Sequence, residues 1–181
     1  MNTFRRPLNA LQQRFSRWRV RHSSMAVKPL YILNYHRILN AHNDFPFDRG
    51  VISTTPELFK EEMTFCKEHF NVVSFSDLTG ALLNQINGYQ PLLIITFDDG
   101  YDDNHQIAFP ILKELDLKAT FFLTVNLIGS NKLFWWDEVA YAINNMDRDR
   151  LDLEIGGKTH QFNLQTSSRL KSIQKILYDP L

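Results

Sequence analysis

The stretch Leu92-Leu93-Ile94-Ile95-Thr96-Phe97-Asp98-Asp99-Gly100-Tyr101 decides the reading of this chain. Its first six residues are nearly all apolar and do not alternate, as expected of a parallel strand covered on both faces. Two aspartates follow at once, then a glycine that lets the backbone turn sharply and lets a ligand come close. Adjacent carboxylates at the end of an apolar strand repel each other and lose water, so a metal or a proton-transfer role is needed to compensate them. In βα folds the C-terminal strand ends build the active site, whichever reaction is run. An acidic turn that only caps the next helix would need one aspartate, not a strand-end pair.

Working outward, the pattern is strand and helix in alternation. Leu30-Tyr31-Ile32-Leu33-Asn34-Tyr35 reads as a short buried strand ending at His36, followed by a polar loop from Asn40 to Thr54. Thr55 caps a helix with Pro56 at its first position, and Phe59, Met63, Cys66 and Phe70 share its inner face. Val72 to Phe75 forms a second strand, and Ser76 starts a helix with Leu78, Leu82 and Ile86 inward, stopped at Asn87-Gly88. After the aspartates, helical sequence runs to Leu115, with Pro110 kinking it or opening its second part, and Ala119 to Thr124 is the next strand. This alternation predicts an α/β architecture, a parallel sheet or a βα barrel. A helix is then expected over Asp137 to Asn144. A β-hairpin is inserted around Gly156-Gly157, with Leu151, Leu153 and Ile155 before it and His160, Phe162 and Leu164 after it. A last helix spans about Ser167 to Leu177.

Composition sets the outer bounds. The 181 residues suffice for one domain, and 44% apolar with 22% charged is ordinary for a globular protein. Fourteen phenylalanines favour an aromatic core, and the single cysteine, Cys66, makes no internal disulfide and reads as a core thiol. The net charge of zero hides an asymmetry: the first 43 residues carry eight basic side chains and no acidic one. Residues 1–28 therefore read as a basic N-terminal arm, with Phe4, Leu8, Leu11, Phe15 and Trp18 at amphipathic-helix spacing. Arginines interrupt every candidate signal peptide, and no run approaches the roughly 20 apolar residues of a membrane span. A cytoplasmic location, with the arm touching the inner membrane, is the expectation. No nucleic-acid recognition fold accompanies the arm.

Several blocks in order carry a family resemblance. Thr96-Phe97-Asp98-Asp99-Gly100-Tyr101, Ala108-Phe109-Pro110-Ile111-Leu112 and Ala119-Thr120-Phe121-Phe122 together resemble the polysaccharide deacetylases of the NodB-homology group, carbohydrate esterase family 4. Tyr35-His36-Arg37 and Trp135-Trp136-Asp137 are similar to a subgroup associated with exopolysaccharide synthesis, and the likeness spans roughly residues 30 to 145. The resemblance implies an incomplete, distorted (β/α) barrel, with residues 29–181 as the N-terminal part of the deacetylase domain. It implies hydrolysis of N-acetyl groups on an N-acetylated polysaccharide or oligosaccharide. Asp98 matches the general base, Asp99 a ligand of a divalent metal, usually zinc, and the backbone of Tyr101 the oxyanion contact. His36, Trp135 and Trp136 become substrate-pocket candidates, the tryptophans as a sugar-stacking surface or else as loop anchors.

The sequence also departs from the family. The family completes its metal site with His-x-x-x-His and supplies a later histidine as general acid. The histidines here are His22, His36, His42, His69, His105 and His160, and no two are four apart. A catalytic zinc needs three protein ligands, and a βα barrel typically takes about 250 residues. The expectation is thus a truncated chain, inactive alone, with a non-catalytic sugar-binding or membrane-associated remnant as the alternative. A competing spacing, Asp98-Asp99-Gly100-Tyr101-Asp102, matches the magnesium-diphosphate pattern Asp-Asp-x-x-Asp. That pattern needs a helix, which Gly100 and the preceding strand disfavour. Asp102 and Asp103 read instead as helix-start carboxylates facing the helix dipole.

Overall fold

The computed structural model describes residues 29–42, 44–80 and 90–179. The basic arm and most of the helix expected after Ser76 lie outside these residues. The chain divides into two compact units: residues up to Asn40 with Ile52–Thr124, and Ala41–Val51 with Val125 onward.

The first unit is organised by a wholly parallel sheet. Strand β1 (Leu30–Tyr35) pairs along its whole length with the central strand, here β5 (Leu92–Phe97). The other edge of β5 is shared. β4 (Asn71–Val72) takes its beginning and β6 (Thr120–Phe121) its end. A separate parallel pair joins β2 (Arg37–Ile38) to β3 (Ile52–Thr54), so the expected polar loop ends in a short strand. The unit is mixed α/β, and its sheets do not close into a barrel among the described residues.

All six residues of β5 are buried, as its unbroken apolar run requires. Alternate side chains leave a strand on opposite faces. Leu93, Ile95 and Phe97 therefore join Tyr35, Phe59, Met63, Cys66, Ala108 and Leu112 in one core cluster, while Leu92 and Ile94 join Val73 in another. The first cluster rests on helix α1 (Pro56–His69), whose Thr55 cap accepts the Leu58 N–H and whose proline sits in the first turn. Aromatic rings fill it: Phe97 stacks on Phe121 at 4.8 Å and on Tyr35 at 5.5 Å, and meets Phe59 edge-on at 5.8 Å. Cys66 is buried there, and burial pushes its thiol up to about 12. Phe70 falls at the C-cap of α1, past the last turn. Glu62 is buried too, accepting the Tyr35 hydroxyl at 2.9 Å, and burial raises its carboxyl above the ordinary glutamate range.

Two strands are shorter than their sequence suggests. β4 ends at Val72, and only the Val73 N–H still reaches the Leu93 carbonyl. Ser74 then donates to Asp77 and the chain tightens into a helical turn at Phe75–Asp77. β6 has two residues because β5 ends at Phe97. Beyond the Phe122 N–H to Phe97 carbonyl bond, Phe122 and Leu123 are exposed. Between β5 and β6, Asn104–Ala108 form a widened π-helical turn before helix α2 (Phe109–Glu114). Pro110 lacks an N–H, and the Phe109 N–H reaches back to the Asn104 carbonyl.

The second unit holds helix α3 (Trp135–Asn144), the antiparallel hairpin β7 (Arg150–Ile155) and β8 (Lys158–Asn163), and helix α4 (Thr166–Tyr178). Gly156 and Gly157 both have positive φ, as a two-residue hairpin turn demands. Ala140, Ile143, Phe162, Leu164 and Ile173 form its core. Arg169 donates to the carbonyls of Asn144, Met146, Arg148 and Leu164, tying α4 to the end of α3 and to the start and end of the hairpin. Buried Asp48 accepts the Tyr178 hydroxyl and the Gly50 N–H, while its own N–H donates to Asp137 on α3. Among the described residues no helix is long and apolar enough to cross a membrane.

Candidate active site

The site forms where β1 and β5 end side by side. The pairing continues one residue past β5, with the Asp98 N–H donating to the Tyr35 carbonyl at 2.9 Å. This fixes the Asp98 backbone. Its side chain lies on the even-numbered face, where Asn34 Nδ2 donates to Asp98 Oδ2 at 2.8 Å. His36 brings Nε2 to 4.0 Å from the same oxygen. Both side chains are more than a third exposed, so an ion pair there is weak even with the imidazole protonated.

Asp99 turns the chain. Its φ of 73° is left-handed, a region that non-glycine residues rarely occupy, with aspartate among the more tolerant. Such strain clusters at functional sites. Gly100 follows at φ 80°, a left-handed conformation that favours glycine, while an added Cβ would meet only the tip of the exposed Leu123 side chain. The Asp99 carbonyl accepts the Thr124 N–H at 3.4 Å. Asp98 and Asp102 therefore share no helix, and the Asp-Asp-x-x-Asp arrangement is not formed.

The loop after Gly100 is stitched to the segment after β1. Asp103 stands at the start of the following helix, as the sequence suggests, and is also buried. Its Oδ2 accepts Arg37 Nε at 2.9 Å and its Oδ1 accepts the Ile38 N–H at 2.8 Å. Asn104 Nδ2 donates to the His36 carbonyl, and the Arg37 guanidinium lies 4.4 Å from the centre of the Tyr101 ring. The His36 N–H donates to Ser53 Oγ at 2.9 Å. His36 and Tyr101 are thus held by their neighbours, beside Asp98.

The structure brings His36, Asp98, Asp99 and Tyr101 to one end of the sheet. Trp135 and Trp136 belong to the second unit. Trp136 stacks on Phe134 at 4.7 Å, whereas Trp135 is 59% exposed. Sequence reasoning missed Asn34, Arg37, Asp103 and Asn104. Asn34 left a trace, since a polar residue interrupts an apolar strand two positions before His36, on the same face. Asp103 and Asn104 left none.

The donor set does not fit a metal by itself. Among the described residues, no three His, Cys, Asp or Glu side chains come together in a way that could hold an ion. A catalytic zinc needs three protein ligands.

Paired carboxylates at a C-terminal strand end of a parallel α/β sheet stand where βα folds place their active sites. The polysaccharide deacetylase family model matches residues 86–177, which include the Asp98-Asp99 turn. The chain belongs to the polysaccharide deacetylase family. It is 54% identical over 88 residues to YxkH of Bacillus subtilis (strain 168), whose name assigns it to the polysaccharide deacetylases. That match covers 46% of this chain and 30% of YxkH, so the chain spans under a third of that relative's length. Among solved structures it is similar to IcaB from Ammonifex degensii, at 23% identity and TM-score 0.47, over 62% of this chain and 47% of that one. It is also similar to the Streptococcus pyogenes deacetylase PplD in complex with acetate, at 23% identity and TM-score 0.41, over 64% and 51%.

Proposed function

We propose that this chain carries the general-base half of a deacetylase site that hydrolyses N-acetyl groups on a sugar polymer. The observation that carries the reading is Asp98, held at the end of β5 by Asn34 inside the stretch that matches the family. Asp98 takes a proton from a water molecule as that water attacks the acetyl carbonyl. The backbone N–H of Tyr101 is the candidate contact for the resulting oxyanion. His36, 4.0 Å from Asp98 Oδ2, is a candidate substrate contact beside the base. The family implies a divalent ion, usually zinc, with Asp99 among its ligands. Its chemistry would be to polarise the acetyl carbonyl, and at least two further donors from outside the described residues are needed to hold it. On this reading residues 29–181 are the N-terminal part of a NodB-homology (β/α) barrel and residues 1–28 a basic arm, with the protein at the cytoplasmic face of the membrane.

The test is acetate release from an N-acetylglucosamine oligomer by the wild-type chain and by Asp98→Asn. Loss of about 10²–10⁴-fold in the variant is expected for a general base. Measurable wild-type release left unchanged by Asp98→Asn would overturn the assignment, and no release by either protein would favour the second reading. A second reading, carbohydrate binding without hydrolysis, is favoured by exposed Trp135 and the incomplete donor set. It predicts calorimetric binding of the same oligomer, lost in Trp135→Ala, with no acetate released.

A further inference from the structure

We propose that Asn34 is the positioning residue for Asp98 and decides which of its oxygens takes the proton, an inference that rests on reading Asp98 as the base. Asn34 and Thr96 face each other across the β1–β5 register. Asn34 Nδ2 donates to Asp98 Oδ2 at 2.8 Å, and Asn34 Oδ1 accepts Thr96 Oγ1 at 2.8 Å. The Thr96 residue is 3% exposed, and its hydroxyl also lies 3.1 Å from the Leu33 carbonyl. An ionised carboxylate only accepts hydrogen bonds, so the amide nitrogen must be the end that faces Asp98. The amide oxygen then needs a donor, and the buried hydroxyl supplies it. Reversing the amide would set its oxygen against a carboxylate oxygen.

His36 Nε2 approaches the same Asp98 oxygen at 4.0 Å, so both neighbours address Oδ2. Oδ1 is the oxygen left to meet a water molecule. The backbone bond from Asp98 N–H to the Tyr35 carbonyl fixes the root of the side chain, and the Thr96–Asn34 pair fixes its tip. Proton transfer depends on that orientation, because misplacing a reacting atom by about 1 Å can cost about 10²-fold.

Two measurements on the full chain test this, the kinetic one where the chain releases acetate and the spectroscopic one decisive whether or not it does. In the first, acetate release from an N-acetylglucosamine oligomer is resolved into kcat and KM. Asn34→Ala should lower kcat by about 10- to 100-fold with KM changed less than about twofold. Thr96→Val should lower kcat in part, and Thr96→Ser, which keeps the hydroxyl, should restore it. If Asp98→Asn inactivates while Asn34→Ala does not, the positioning role fails and the base reading stands. If Asp98→Asn turns over normally, the base reading itself has failed. The second measurement needs no turnover. The Asn34 side-chain amide signals in a proton–nitrogen NMR spectrum, assigned by their loss in Asn34→Ala, should be well separated and should collapse toward free-asparagine positions in Asp98→Ala. Signals already at free-asparagine positions, or unmoved by Asp98→Ala, would overturn the proposal.

Discussion

The two faces of β5 start from the same apolar run and end differently. On the odd-numbered face, Leu93, Ile95 and Phe97 stay within a closed core against α1, filled by Tyr35, Phe59 and Met63. On the even-numbered face, Leu92 and Ile94 are buried, but Thr96, Asn34 and Asp98 form a polar chain that ends in partial exposure. The difference shows how one strand can both anchor a unit and present chemistry. Close packing on one side holds the backbone still, and a polar ladder on the other holds a carboxylate in place. The rim joins the two, because Asp103 and Asn104 bind the segment of residues 36–38 that follows β1.

The largest expected effect lies on the packed face. Phe97→Ala should cost about 3–5 kcal/mol, measured by urea denaturation, because it removes a fully buried ring and leaves a cavity. Asp98→Asn, one residue on, should leave stability nearly unchanged. Equal losses in the two variants would break the contrast between the faces.

The rim comes next. Asp103→Ala should cost about 3 kcal/mol by the same measurement, since it removes the carboxylate that pairs with the partly buried Arg37 guanidinium and accepts the Ile38 N–H. It should also weaken acetate release, because the segment carrying His36 loses one of its ties. A variant as stable as the wild type would show that the odd-face core holds the rim unaided.

The smallest effect concerns Glu62, the one buried carboxylate on the packed face of α1. Burial raises its folded-state pKa above the unfolded value, so the folded protein holds the proton more tightly. Its contribution to stability is therefore fully present below the ordinary glutamate value and is lost as pH rises through the raised one. Glu62→Gln cannot ionise and can still accept the Tyr35 hydroxyl. Its stability relative to wild type should grow between about pH 4 and pH 7, as followed by denaturation at each pH. A constant difference across that range would show that the Glu62 carboxyl is already solvated in the folded state.

Much of this was legible in the residues. The bounds of β5 follow from its apolar run and those of β1 from a run that Asn34 interrupts, though the sequence predicts a buried β1 and only its Tyr35 is buried. α1 follows from Thr55-Pro56 and its periodic inner face, and the hairpin from Gly156-Gly157. These signals are local, set by hydrogen-bonding and steric preferences within a few residues. The ends of β4 and β6 were misjudged because β propensity says nothing of how much partner strand is available, and β5 supplies only two register pairs to each. The position of the aspartate pair at a strand end was legible too, since an apolar run that stops at two carboxylates marks where the buried strand meets solvent.

By itself, then, the sequence determined an α/β chain with a paired-carboxylate turn and a family likeness on its motifs. Only the tertiary structure decided that Asn34 holds Asp98, that His36 stands 4.0 Å from it, and that Asp103, at the start of its helix, also pairs with Arg37. Those partners lie more than 60 residues apart in the chain. Which polar side chains meet at such separations depends on strand register and sheet order, set by the summed burial of the core and not by any short stretch of residues.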